Sequence, residues 1–138
     1  MRAKSLKVFI KHKKIEIERI SAQIFALRSE LEGLQRKKTA LSEEIRSLQR
    51  QHGTILFDLH LQQNYITELH EQIKGLTGQI TKIAERMEEI KKDLLEKKGQ
   101  KEALEKLLER MKKAKAQKEY EKESRLADES FSRNFIGR

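Results

Sequence analysis

The sequence predicts an all-α protein: a long two-helix antiparallel coiled-coil hairpin with an overhanging C-terminal helix. Three observations predict it. Apolar residues recur at strict 3,4 spacing for most of the chain, the signature of a helix with one buried stripe. Proline is absent and only 6 glycines occur in 138 residues, so nothing forces an early helix break. Charged residues make up 38% and hydrophobic residues 36%. That is too little apolar matter for a roomy globular core, yet it is too regularly placed for a disordered chain.

The first helix is predicted over about residues 4–52. With position a at residue 17, the a series runs Ile17, Ile24, Leu31, Lys38, Ile45 and His52. The d series runs Ile20, Leu27, Leu34, Leu41 and Leu48. Isoleucine at a with leucine at d favours two packed strands. The frame continues as Leu59, Ile66, Ile73, Ile80, Met87 and Leu94 at a, and Ile55, Gln62, Leu69, Leu76, Ile83 and Ile90 at d. Twenty of these 23 positions are apolar, far above what the composition gives by chance, so the seam is real. Lys38, His52 and Gln62 are polar interruptions that limit slippage of the register.

A turn is predicted at about residues 53–58. His52 and Gln62 weaken the seam on either side, Gly53 suits the left-handed residue that closes a helix, and Thr54 or Asp58 suits a cap for the next. Leu56, Phe57, Leu61 and Tyr65 add apolar surface outside the seam. The frame runs through without a phase shift, so one uninterrupted helix is the competing reading. The second helix is predicted over about residues 59–130, with a frayed tail at 131–138, the whole forming a single domain. Its seam ends at Leu104, Leu108 and Met111; the same frame then holds Lys115, Lys118, Lys122 and Arg125. The overhang expected from this point gains support from pairs such as Glu109–Lys113 and Glu121–Arg125.

The net charge of +9 is uneven. Residues 1–14 carry Arg2, Lys4, Lys7, Lys11, Lys13 and Lys14 with no acid, and 110–118 carry Arg110, Lys112, Lys113, Lys115 and Lys118 with no acid. A hairpin is expected to bring both segments side by side at its open end, a cationic cluster suited to an acidic pore or ring or serving solubility alone.

Catalytic and cofactor chemistry is not expected. There is no cysteine, and no phosphate-cradling loop: Gly75 and Gly78 flank Leu76, which sits in the seam. His12, His52, His60 and His70 lack the i,i+4 partners of a helical metal site. Glu43–Glu44 and Glu88–Glu89 read as solvated charges. No apolar run is long enough to span a membrane, and lysines from Lys4 to Lys14 interrupt any signal-peptide core. Nucleic-acid binding is not expected, since neither interleaved aromatics nor a groove-reading helix accompanies the basic ends.

Three stretches resemble the bacterial type III export stalk family, flagellar FliJ and its injectisome counterparts such as YscO. They are Ser5–Leu6 with the following lysines and Ala22–Gln23–Ile24; Tyr65–Ile66 with Leu69 and Ile73; and Leu94–Leu95 through Lys101–Leu107 and Glu109–Arg110. Asp128–Glu129 is similar to the close of that family's last helix. The resemblance implies a stalk like the central γ subunit of rotary ATPases. Its helix ends would sit in the pore of a hexameric export ATPase, and its turn end would contact the cytoplasmic domain of the export gate membrane protein. Binding of export chaperones, and a cytoplasmic location at the inner membrane without insertion, are also implied. On this resemblance Tyr65 and Leu69 match the gate-contacting segment, and Phe57 and Leu61 lie near it in sequence. Lys11, Lys13, Lys14, Lys112, Lys113 and Lys115 are the candidates for the ATPase. The alternative is a structural homodimeric coiled-coil scaffold.

Overall fold

A computed structural model describes residues 2–50 and 56–136, without the side chains of 56–58 and 134–136. Among the described residues there are two helices: α1, Ala3–Arg50, and α2, Leu56–Ile136. They pack against each other as an antiparallel hairpin. The Tyr65 hydroxyl bonds to Glu44, and the Gln62 amide reaches the Leu48 carbonyl. The seam of α1 is therefore covered by α2 of the same chain, not by a second α1 as a parallel scaffold requires.

Two boundaries differ from the sequence expectation. α2 begins at Leu56, about three residues early, which puts Asp58 inside its first turn and not at the position that precedes it. It also runs to Ile136, which makes 131–136 helical where a frayed tail is expected. No proline interrupts this stretch and its glycine comes only at 137, so local propensity carries the helix on. Gly53 and Thr54 lie outside the described residues.

By its internal packing the chain divides into two compact units. The terminal unit comprises Met1–Ile17 and Glu96–Arg138, and the central unit is Glu18–Leu95. In a helix pair each residue touches only the next turns and the residues directly across, so contacts cluster locally.

The buried hydrophobic residues are Leu6, Ile20, Ile24, Ile45, Leu69 and Met87, all at a or d of one unbroken frame. Leu6 anchors the terminal unit and is fully buried. In the central unit Ile20, Ile24 and Met87 form a cluster with Leu27, Leu31, Ile83, Ile90 and Leu94 packed on it. No polar or charged residue is buried among the described residues. Residues 112–133 are exposed throughout, which follows from the lysines and arginine that occupy the seam frame there. That stretch has no apolar face in the seam frame, and strong helix formers such as Lys, Glu, Ala, Gln and Arg supply its helical propensity. At its start Lys113 pairs with Glu109 one turn back, at 3.3 Å.

Candidate functional site

The candidate residues fall into two groups, one in each unit. The gate candidates lie on the first turns of α2, in the central unit. Leu61 and Tyr65 are exposed by 52% and 43%, whereas Leu69 is only 2% exposed. A d-position side chain points into the seam, so Leu69 holds the helices together and does not present itself to a partner. Phe57 lies in the first turn of α2.

Two cross-helix bonds fix this region. The Tyr65 hydroxyl donates to Glu44 Oε1 at 2.6 Å. Both residues occupy g positions, which face one another along the flank of an antiparallel pair. The hydrogen bond to Glu44 raises the Tyr65 pKa above 10.0, with desolvation and the charges of Glu44 and Glu68 adding to it. Gln62 donates its amide to the Leu48 carbonyl. Leu48 is in the last turn of α1. The polar interruption at d thus has a specific task that periodicity does not reveal: it fastens the start of α2 to the last turn of α1.

The Tyr65 bond leads to a titration prediction. Ionising the phenol removes the donated proton and places a negative charge beside Glu44, so the folded state favours the neutral form. Because the folded pKa is raised, the stabilisation is present below about pH 10 and is lost as pH rises through the folded value. In a Tyr120→Phe background, phenolate absorbance is expected to appear above the ordinary tyrosine range. Glu44→Gln should bring the midpoint down; an unmoved midpoint would show that Glu44 is not the cause.

The six candidate lysines all lie in the terminal unit. This unit holds 19 basic and 10 acidic residues and so carries the whole net charge of +9, while the central unit balances 12 against 12. The two basic segments are nevertheless not side by side, contrary to the expectation. Lys97 reaches Glu16 across the pair at 3.6 Å. Both helices rise equally per residue, so Lys11–Lys14 face about residues 99–102. Lys112, Lys113 and Lys115 lie about ten residues, roughly 15 Å, farther along α2. That exceeds the screening length of about 8 Å at physiological salt, so the two clusters repel each other little. Two of the six are already paired: Lys13 with Glu16 at 3.5 Å, and Lys113 with Glu109. Lys11, Lys14, Lys112 and Lys115 are exposed.

The first turn of α1 contains no acidic residue and does contain Lys4. Cations at a helix N-terminus oppose its dipole, at a cost of about 0.3–1 kcal/mol each. Helix stability therefore does not explain why they stand there.

Sequence reasoning missed one feature of the terminal unit. Phe9, Lys13, Gln100, Ala103, Leu104 and Leu107 line an open, mostly apolar groove. Phe9 and Leu107 both sit at g, which ordinarily carries charge, and that anomaly was the available signal. Among the described residues there is no cluster of His, Asp and Glu able to hold a metal ion, and no helix long and apolar enough to cross a membrane.

A packed helix pair with cross-helix polar fasteners and exposed charged faces defines a helical-hairpin protein of the coiled-coil class. The chain belongs to the FliJ family: the family model described as flagellar FliJ protein matches residues 3–138. Membership makes it a component of flagellar type III protein export, in a family of structural export proteins. No curated protein and no solved structure matches the chain.

Proposed function

We propose that the chain is a non-enzymatic stalk or adaptor linking the hexameric export ATPase to the export gate. In this reading the lysine-rich terminal unit engages the ATPase, with exposed residues 112–133 available to enter its ring. Leu61 and Tyr65 meet the cytoplasmic domain of the gate protein. Export chaperones are further partners, and the protein works in the cytoplasm at the inner membrane. The observation that carries the reading is the segregation of charge, +9 in the terminal unit and zero in the central one, within a family of flagellar export components. Steering by such a field favours an acidic partner for one unit only.

Co-purification tests it. The tagged chain, co-expressed with the ATPase and the gate's cytoplasmic domain, is expected to retain both. Tyr65→Ala should lower capture of the gate several-fold and leave capture of the ATPase unchanged. Failure to retain either protein would remove the adaptor reading, and equal loss of both would place Tyr65 in folding, not in recognition.

A further inference from the structure

We infer that the groove of the terminal unit is a docking site for one helix of a partner, amphipathic and acidic, added as a third strand to the coiled coil. The inference rests on the geometry and charge of this unit and not on the export assignment.

A two-stranded pair needs apolar residues only at a and d, and its g flank is ordinarily charged. Here the flank carries Phe9 from α1 and Leu107 from α2, which are 49% and 42% exposed, with Ala103 and Leu104 between them. Adding g to a and d widens the apolar face to the breadth a helix presents when it packs against more than one neighbour. One polar atom of the groove wall is also unused: Gln100 Oε1 is buried and has no hydrogen-bond partner among the described residues. A buried acceptor without a donor is costly, so the Gln100 side chain gains by turning outward to accept from a side-chain amide or hydroxyl on an incoming helix.

Charge selects the occupant. The groove lies in the unit that holds the entire +9, and Lys13 forms part of its wall. A second copy of this chain offers either the same +9 unit, which repels, or a central unit of zero net charge, which is not attracted. A helix with aliphatic residues at 3,4 spacing and acids on its flanks meets both the apolar floor and the field around it.

The test uses the full chain and three synthetic helical peptides of about three heptads, read by fluorescence anisotropy. The first has Leu at a and d with Glu on the flanks, the second replaces Glu with Lys, and the third replaces Leu with Ser. The acidic Leu peptide is expected to bind at least about tenfold more tightly than either other peptide, and less tightly as salt rises. Phe9→Ser and Leu107→Ser should each weaken it about tenfold, as buried aromatic and aliphatic anchors do. Phe25→Ser, at an exposed site of the central unit, should not. Ala103→Glu supplies a variant that keeps every packing side chain and helix former; it should block the groove and repel the acidic helix, with circular dichroism unchanged. Wild-type affinity in both Phe9→Ser and Ala103→Glu, or equal binding of the acidic and basic peptides, would overturn the inference. So would self-association of the chain that Phe9→Ser abolishes, which would assign the groove to a second copy.

Discussion

Leu69→Ala is expected to lower the unfolding free energy by about 2–5 kcal/mol, the range for a large aliphatic side chain removed from a packed site. Leu69 is 2% exposed at a d position, and few residues of this hairpin are buried as deeply. Domains have only about 5–15 kcal/mol of stability in total, so one such loss is a large fraction of it. The matched control is Leu61→Ala, eight residues earlier on the same helix and 52% exposed. It should change stability by no more than about 0.5 kcal/mol, as substitutions away from packed sites do. Urea unfolding followed by circular dichroism measures both. Equal losses would mean that the frame assigned to α2 is wrong. The comparison also guards the functional reading: weakened gate binding in Leu69→Ala would follow from unfolding, so Tyr65 and Leu61 are the informative positions.

Replacing Lys11, Lys13, Lys14, Lys112, Lys113 and Lys115 together with glutamine is expected to abolish stimulation of the export ATPase while leaving helicity intact. Six substitutions take the terminal unit from +9 to +3. No single lysine should matter much, because an exposed ion pair is worth only about 0–1 kcal/mol. Lys13 and Lys113 already share acids within this chain, and Lys97 still neutralises Glu16 when Lys13 is lost. The effect is a property of the summed field, so stimulation by the wild-type chain should also fall as salt rises. The stagger of the two clusters adds a refinement. Each should act nearly independently, so the two triple variants should give intermediate losses and not a single all-or-none step. Undiminished stimulation by the six-fold variant would mean that the unit engages its partner by shape or apolar contact, with the charge serving solubility.

Much of the fold was legible because helical periodicity is a local property. The 3,4 spacing from Ile17 to Leu94 marks the buried stripe, and Leu6, Ile20, Ile24, Ile45, Leu69 and Met87 all fall on it. The lysines that follow Met111 in the same frame mark where the exposed stretch begins. The candidate sites were less legible. Leu69 matched a contact segment in sequence, yet its frame position already placed it in the seam. Phe9 and Leu107 stand almost a hundred residues apart, and nothing along the chain joins them.

By itself, then, the sequence determined the helical class, the face each helix buries and the uneven distribution of charge. Each of these depends on neighbours within one or two turns. The tertiary structure decided which residue stands opposite which. That register pairs Tyr65 with Glu44 and Glu16 with Lys97, sends Gln62 to the end of α1, staggers the two lysine clusters and assembles the groove. The heptad repeat looks the same after a shift of seven residues, so periodicity alone leaves several registers open. Only the packing of unique side chains across the pair selects one.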